Sequence, residues 1–276
     1  MVHVSVMSNN PGEILEASFI EGSRGKLFCI RALPQPEIAR GHSVLMVPPF
    51  AEEMNSSRRF FALMRQELCK NGYGIIQPDL HGTGDSEGLF SEASWENWLS
   101  DLLHLIKHFC GGNGEYLSVL ALRCGCLLTQ DLLTDMTSTD KDFMLKYLLY
   151  VQPEQSGFDV LNTQFRMRVA SNRLSGNTSE STESIWQKLE SEGNVRVAGY
   201  DVGYELAAQM RNSRFFADTP LPAEHLKWIE LGAHSDIAPV GGKWKECGIL
   251  SKPFWQSHDV EPEQYTIEAI AALIND

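Results

Sequence analysis

The sequence has no long hydrophobic run and no surplus of basic residues. No window approaches the ~20 apolar residues that a membrane-spanning helix needs. The N-terminal stretch MVHVSVMSNNPGEI has neither the basic region nor the apolar segment of a signal peptide, so we expect a cytoplasmic protein. The 23 Lys and Arg are outnumbered by 36 Asp and Glu, which gives a net charge of −13. This charge disfavours nucleic acid and anionic membranes as partners and favours a small neutral or cationic ligand.

The cysteines are few and scattered. They lack the paired spacing of a zinc site and the density of a disulfide framework. We predict that all of them are reduced and buried, and we predict neither a metal nor a cofactor. The six positions are Cys29, Cys69, Cys110, Cys124, Cys126 and Cys247.

Short apolar runs alternate with helical patterns along the chain, which is typical of strand–helix–strand units in a mostly parallel sheet. The pattern predicts an α/β fold with a central, mostly parallel eight-stranded sheet flanked by helices. Helices are predicted at Arg58–Lys70 and Ser94–Cys110, with Trp95 and Trp98 facing the core. The predicted strands are Ala17–Ile20, Lys26–Ala32, Ser43–Val47, Gly74–Gln77, Tyr116–Ala121, Tyr147–Val151, Lys227–Leu231 and Cys247–Leu250.

The composition and the hydrophobic pattern of the sequence change between the sixth and seventh predicted strands. Residues 155–221 combine a basic-aromatic stretch, QFRMR, with a polar segment and two further helical patterns. We predict that residues 1–154 and 222–276 form the core and that 155–221 is an inserted cap. The segment Ser175–Thr182 is rich in Ser, Asn, Gly and Thr, so we expect a mobile loop there.

A glycine-rich loop, PDLHGTGDSEG, follows the fourth predicted strand at Pro78–Gly88. It resembles the D-x-x-G-x-G-x-S loop at the same place in α/β hydrolases. The glycines permit tight turns, and we expect Asp79 and Ser86 to hydrogen-bond the backbone of the loop. The resemblance implies the α/β-hydrolase fold, whose sheet has eight strands.

The next strand runs directly into a helix at Tyr116–Cys126, YLSVLALRCGC. α/β hydrolases carry the G-x-S-x-G nucleophile elbow there, a strained turn that needs small residues two positions either side of the nucleophile. With Arg123 at the centre, the flanking residues are the small Ala121 and Gly125. A guanidinium stays protonated and cannot attack a carbonyl, so this register closes the acyl-enzyme route.

The alternative register puts Cys124 at the centre of the turn. Its flanking residues are then Leu122 and Cys126, and Leu122 is too bulky for that position. We therefore favour Arg123 at the centre and keep Cys124 as the alternative nucleophile.

The loop after the third strand should build the oxyanion hole. Pro48 and Pro49 replace the usual His-Gly there, but Phe50 keeps an N–H, so a hole made by the Phe50 and Cys124 amides remains possible. The loop continues with Glu52, Glu53 and Asn55. We expect these three side chains to project into the pocket, because a partly buried arginine at the elbow requires a carboxylate partner. The alternative is a solvated turn before the next helix.

The catalytic acid and base are harder to place. Asp236, after the seventh strand, is the best match to the acid, and Glu230 is the second. Pro253 stands where hydrolases carry their histidine, so the base must be His258 or His234 reaching in from a loop, or be absent. Trp255 follows in the same segment and is a candidate ligand contact.

The combination of VPPFAEEMNSSRR, the GTGDS loop, ALRCGC, QPEQSGFDVLNTQFRMR and KPFWQ spans most of the chain. It resembles the second type of exosortase A system-associated hydrolase. The resemblance implies a bacterial cytoplasmic protein linked to exopolysaccharide production and a protein-sorting system. The implied partners are a small-molecule, glycan-type or acyl-type ligand and proteins of the exopolysaccharide or exosortase system.

These observations support two functional hypotheses. The first is a hydrolase or acyltransferase acting on esters or amides, with Cys124 as nucleophile and Asp236 and His258 or His234 assisting. The second is a non-catalytic descendant of hydrolases whose pocket binds an anionic or carbohydrate-like ligand through Arg123 and the surviving amides. Scaffolding of a biosynthetic or sorting complex through the cap overlaps with the second.

Overall fold

The computed structural model describes residues 3–6, 12–111, 116–136, 143–176, 180–215, 223–232, 244–257 and 259–274. The strands are β1 His3–Val6, β2 Glu13–Gly22, β3 Gly25–Pro34, β4 His42–Val47, β5 Gly74–Pro78, β6 Tyr116–Leu122, β7 Met144–Val151, β8 Asn194–Val197, β9 Tyr200–Gly203, β10 Leu226–Leu231 and β11 Lys245–Ile249. The helices are α1 Glu52–Ser56, α2 Arg58–Lys70, α3 Trp95–Cys110, α4 Gly125–Asp135, α5 Gly157–Leu174, α6 Thr182–Glu192, α7 Tyr204–Met210 and α8 Gln264–Ala272. Short 3₁₀ turns lie at Pro36–Ile38, Phe90–Glu92, Ala223–His225 and Phe254–Gln256.

The central sheet has the strand order β1-β2-β3-β5-β4-β6-β7-β10-β11 within the described residues. Six strands of this sheet run parallel, namely β5, β4, β6, β7, β10 and β11. At one side β1, β2 and β3 pair antiparallel, and β3 also pairs antiparallel with β5. The predicted fold class is confirmed, and all eight predicted strands are present. The additional edge strand β1 and the separate β8–β9 hairpin were not predicted, because four-residue strands carry little periodicity.

The two faces of the sheet bury separate apolar layers. One face packs on α3 and α4, and the other packs on α2 and α8. Trp95 and Trp98 are buried in the first layer, as predicted. The helix predicted at Arg58–Lys70 is α2, and α3 begins after Ser94, whose hydroxyl accepts a hydrogen bond from the Asn97 amide at 3.2 Å.

The elements α5, α6, β8, β9 and α7 lie between β7 and β10 in the sequence. The segments that enter and leave this insertion are paired, because Ser156 and Arg214 form an antiparallel bridge. The amide of Phe215 also donates to the carbonyl of Gln155 at 3.0 Å. Helix α7 contacts α3, and β9 contacts the turn Phe90–Glu92. The insertion is therefore held on the α3 side of the sheet.

The segment predicted as a mobile loop, Ser175–Thr182, is described only in part, since residues 177–179 lie outside the described residues. At its C-terminal end, Glu180 is buried and the hydroxyl of Ser181 accepts a hydrogen bond from the Ser184 amide at 3.2 Å. This end is therefore anchored, because its polar groups have partners on the neighbouring helices.

All six cysteines are free thiols, and five of them are buried, while Cys247 is partly exposed. In the described part of the chain, no group of three or more His, Cys, Asp or Glu is placed to hold a metal ion. None of the described helices has the length and apolar character needed to cross a membrane.

Candidate functional site

The turn between β6 and α4 is centred on Arg123, which has a left-handed backbone with φ 55°. Its amide donates to the carbonyl of Val151 at 2.9 Å, which ties the turn to the end of β7. A Cβ on Gly125 would lie 2.6 Å from the carbonyl oxygen of Pro48, so only glycine fits there. Cys124 has φ −67° and already belongs to the helix start. The structure therefore places Arg123 at the centre of the turn.

The guanidinium of Arg123 is held between two glutamates. Its Nε and Nη2 each lie 3.3 Å from a carboxylate oxygen of Glu53, and Nη2 also pairs with Glu154. Nη1 donates to the carbonyl of Gln152 at 3.5 Å. The ring of Trp255 lies beneath the guanidinium, with 5.5 Å between its centroid and Cζ. We call Arg123, Glu53 and Glu154 the core cluster.

Burial and charge act in opposite directions in the core cluster. Burial opposes the charged form of Arg123, but Glu53 and Glu154 outweigh it, so the pKa of Arg123 is raised and the guanidinium stays protonated. Burial also raises the pKa of the Glu53 carboxyl, with Arg123 opposing that shift. With both carboxylates ionised, the core cluster carries a formal charge of −1. The cation is already neutralised by the protein.

Cys124 is buried, with 3% of its surface exposed. Burial raises the pKa of its thiol well above the ordinary value, and Glu53 and Glu154 raise it further. The nearby backbone N–H of Phe50 opposes this shift without reversing it, so the thiol stays protonated at neutral pH.

The other predicted site residues lie in different places. Glu52 and Trp255 line a cavity beside the core cluster. Asn55 does not; its amide nitrogen donates to the hydroxyl of Tyr200, and its oxygen accepts from Nε of Arg58 at 3.2 Å. Asn55 thus links α1 to the β8–β9 hairpin.

Glu230, the second candidate for the acid, is buried and accepts hydrogen bonds from Trp228 and from Nε2 of Gln152 at 2.8 Å. Burial raises the pKa of its carboxyl. Neither partner is a histidine. The remaining candidates for the acid and base, Asp236, His258 and His234, lie outside the described residues.

Backbone strain is concentrated around this site. Among the described residues, four that are not glycine have positive φ, namely Ala51, Arg123, Gln152 and Ala198. The first three follow the carboxyl ends of β4, β6 and β7, which are neighbouring strands. Residues held in such conformations cost about 1–3 kcal/mol each and cluster at functional sites. The strain therefore makes this edge of the sheet the candidate functional region.

A cavity of about 870 Å³ lies next to the core cluster. This volume falls within the ~300–1,000 Å³ that is typical of small-molecule sites. Its described lining contains no histidine. The lining residues are Glu52, Glu53, Arg123, Thr163, Gln164, Met167, Arg168, Ser171, Asn172, Arg196, Ala198, Trp255 and Gln256.

Two parts of this site were not predicted from the sequence. Glu154 comes only three residues after β7, and its position at the carboxyl end of a strand beside the elbow was the available signal. The other part is the wall formed by α5, whose lining residues recur at helical spacing from Thr163 to Asn172. The polar repeat Gln164, Arg168 and Asn172, at four-residue spacing, was the available signal.

The glycine-rich loop behaves as predicted. The carboxylate of Asp79 accepts from the Asp85 amide at 2.9 Å, and the hydroxyl of Ser86 donates to the Asp79 carbonyl at 2.6 Å. Ser86 also accepts from the Phe28 amide at 2.8 Å. These contacts fix the backbone of the loop, and neither side chain lines the large cavity.

No family model matches the sequence. No curated protein matches it either. The chain is similar in structure to Est1E from Butyrivibrio proteoclasticus, solved with ferulic acid bound, with a TM-score of 0.63 at 14% identity over 93% of this chain and 97% of that one. It is also similar to mouse alpha/beta hydrolase domain-containing protein 10, with a TM-score of 0.55 at 16% identity over 94% and 97% of the two chains.

A third similar structure is a thioesterase domain from the curacin biosynthetic pathway, with a TM-score of 0.52 at 16% identity over 95% of this chain and 99% of that one. At these identities the likeness shows the fold alone. The chain has the α/β-hydrolase fold, and its strand order and strained turn after β6 agree with that fold.

Proposed function

We propose that this chain binds a small ligand and does not hydrolyse esters or amides. The observation that supports the proposal is the core cluster, in which Arg123 stands at the turn where a nucleophile would be and is held by Glu53 and Glu154. A protonated guanidinium is not a nucleophile, and one whose donors are already occupied is a poor oxyanion or anion binder. Arg123 therefore acts as a structural cation in the floor of the cavity.

Hydrolysis through Cys124 is the competing function. It requires a thiolate, yet Cys124 is buried and the pKa of its thiol is raised by burial and by two nearby carboxylates. Reactive cysteines sit instead in electropositive, partly exposed surroundings. The core cluster, with its formal charge of −1, is the opposite environment. We therefore include in this proposal that the catalytic triad of α/β hydrolases is degenerate in this chain.

The insertion 155–221 is proposed to be a cap over the ligand site, since its helix α5 supplies one wall of the cavity and its hairpin supplies Arg196 and Ala198. The sequence resemblance further suggests a cytoplasmic role linked to bacterial exopolysaccharide production and an exosortase system. In that setting the chain would act as a binding or scaffolding component.

Active-site labelling tests the proposal. The native protein is treated with a fluorophosphonate, which needs an activated serine, and separately with iodoacetamide, and the modified peptides are located by mass spectrometry. We expect no phosphonate label, and we expect Cys124 to react more slowly than the partly exposed Cys247. A phosphonate-labelled serine, or alkylation of Cys124 ahead of Cys247, would show that an activated nucleophile exists.

A further inference from the structure

The glycine-rich loop is attached to α3 through a buried carboxyl group, that of Asp101. Its Oδ2 accepts a hydrogen bond from the backbone N–H of His81 at 3.0 Å. A second bond joins the same residues of the loop and the helix, because Nε1 of Trp98 donates to the carbonyl of His81 at 3.0 Å. Asp101 and Trp98 have only 1% and 4% of their surfaces exposed. The start of the loop is therefore held by its backbone against one face of α3.

The other oxygen of Asp101, Oδ1, is buried and has no hydrogen-bond partner among the described residues. Asp101 also takes part in none of the ion pairs between described residues. Asn97 lies one helical turn earlier, and its Nδ2 is buried and unpaired as well. A buried carboxylate without a counter-charge is costly, so this site favours the protonated form of Asp101.

The charged groups around this carboxyl do not cancel the effect of burial. Burial raises the pKa of Asp101 from 3.8 to about 6, although the His81 amide and the guanidinium of Arg24 oppose the shift. The imidazole of His81 is the other titratable group here, with Glu87 and Glu92 acting on it, and burial lowers its pKa. Burial thus favours the neutral form of both side chains, and Asp101 changes charge close to neutral pH.

Three glycines allow the loop to change its conformation. Gly82, Gly84 and Gly88 all have positive φ, at 75°, 52° and 96°, and glycine adopts other backbone conformations at little cost. Helix α3, by contrast, packs its buried side chains into the apolar layer on one face of the sheet. Water can therefore reach Asp101 at a lower cost if the loop lifts than if α3 moves.

We infer that protonated Asp101 holds the glycine-rich loop against α3 and that ionisation of this carboxyl group releases the loop. Once the loop has lifted, the carboxyl meets water and its pKa returns to the ordinary 3.8. The closed form keeps its proton to higher pH, so it is most stable below pH 3.8 and loses stability as the pH rises through about 6. The contact between the loop and α3 is therefore tighter in acid than at neutral pH.

Release of the loop should reach one wall of the large cavity. The turn Phe90–Glu92 follows the loop and contacts β9 of the insertion. The ring of Phe90 lies 4.9 Å from that of Tyr200 in this strand. Arg196 and Ala198 of the same hairpin line the cavity. A proton-dependent loop would therefore change the support of that wall.

Hydrogen exchange of the full chain at pH 5 and pH 7 tests the inference. After correction for the intrinsic exchange rate, the opening constant of the His81 amide should rise about tenfold between these pH values, as expected for a carboxyl whose pKa is 3.8 when open and about 6 when closed. Asp101→Asn cannot ionise and should show no rise. Glu96→Gln removes an exposed carboxylate from α3 and should keep the wild-type rise.

No rise in the wild type, or the same rise in Asp101→Asn, would overturn the inference. A second measurement does not depend on the folding of any variant. The carboxyl carbon of Asp101, followed by NMR in the wild-type protein, should titrate with a midpoint near pH 6. A midpoint near the ordinary 3.8 would overturn the inference whatever the behaviour of the variants.

Discussion

The core cluster lies on one side of the cavity, and a second cluster lies on the other. We call this second group, Glu180 with Arg168, Lys188 and Asn172, the cap cluster. The two clusters have opposite arrangements of charge. In the core cluster a single cation, Arg123, lies between Glu53 and Glu154. In the cap cluster a single carboxylate, Glu180, lies between Arg168 and Lys188. Each cluster pairs its central ion with charges from this chain, and each keeps one excess charge, negative in the core cluster and positive in the cap cluster. Charge in this pocket therefore holds its two walls together internally.

The two clusters should also respond differently to acid. Arg123 keeps its charge at every accessible pH, because its pKa is raised. The glutamates differ, since burial raises the pKa of Glu53 while hydrogen bonds from Arg168 lower that of Glu180 to about 2. Protonation should therefore loosen the core cluster before the cap cluster.

The largest expected effect is on the core cluster. Arg123→Met leaves two partly buried carboxylates facing each other, and we expect the free energy of unfolding to fall by about 3 kcal/mol, the lower end of the range for breaking a buried ion pair. Urea unfolding followed by circular dichroism measures it. Adding Glu53→Gln and Glu154→Gln to the variant should recover part of the loss. The exposed Arg173→Met is the matched control and should change stability by less than about 0.5 kcal/mol.

An effect below about 1 kcal/mol for Arg123→Met would contradict this view of the core cluster, because surface ion pairs are worth that little. In that case Arg123 would be a solvated side chain and would be available to an anionic ligand.

The next expected effect concerns the cap cluster and is of similar size. Glu180→Gln removes the charge that Arg168 and Lys188 share, and it should lower the free energy of unfolding by about 3 kcal/mol. Glu190→Gln on the exposed face of α6 removes a carboxylate without such partners and serves as the control. If the two variants were equally stable, the cap cluster would contribute nothing to the free energy of unfolding, and only the core cluster would stabilise the walls of the cavity.

The contribution of Glu180 to stability should depend on pH. The pKa of Glu180 is lowered from 4.5 to about 2 on folding, so its contribution is complete above pH 4.5 and is lost as the pH falls toward 2. The stability difference between the wild type and Glu180→Gln should therefore fall by roughly half at pH 3. Urea unfolding of both proteins at several pH values from 7 to 3 measures this. If this stability difference stayed constant over that pH range, the pKa of Glu180 would not be lowered by folding.

The smallest expected effect is on the link between the two regions. The hydroxyl of Tyr200 on the hairpin accepts from the amide of Asn55 on α1. Tyr200→Phe should lower the free energy of unfolding by about 1 kcal/mol, the net value of one hydrogen bond. The half-exposed Tyr204→Phe is the control, and it should be close to neutral. Equal effects of the two variants would show that the link is not formed.

Much of the fold was predictable because its signals are local. The helix predicted at Arg58–Lys70 coincides with α2, and the sizes of Ala121 and Gly125 identified Arg123 as the centre of the turn. The hairpin β8–β9 was missed although an Ala198-Gly199 turn separates its strands, since each strand has only four residues.

The site was less predictable because its contacts cross the sheet. The sequence places Glu52 beside Glu53 and cannot say which of them reaches Arg123; the orientation of α1 decides it. Glu154 becomes a partner only because β7 pairs next to β6. The cap cluster joins α5 to the residues that precede α6, and no local pattern reports such a contact.

Ester turnover by the wild type, Cys124→Ala and Arg123→Ser, measured in parallel on aryl acetates and butyrates, tests the absence of hydrolysis most directly. We predict wild-type turnover near background and no change with Cys124→Ala. Arg123→Ser should remain a poor esterase, because general-base assistance is typically worth roughly 10²–10⁴-fold and the described cavity lining offers no histidine to provide it. Robust wild-type turnover that is abolished by Cys124→Ala would contradict the account and identify a thiol hydrolase.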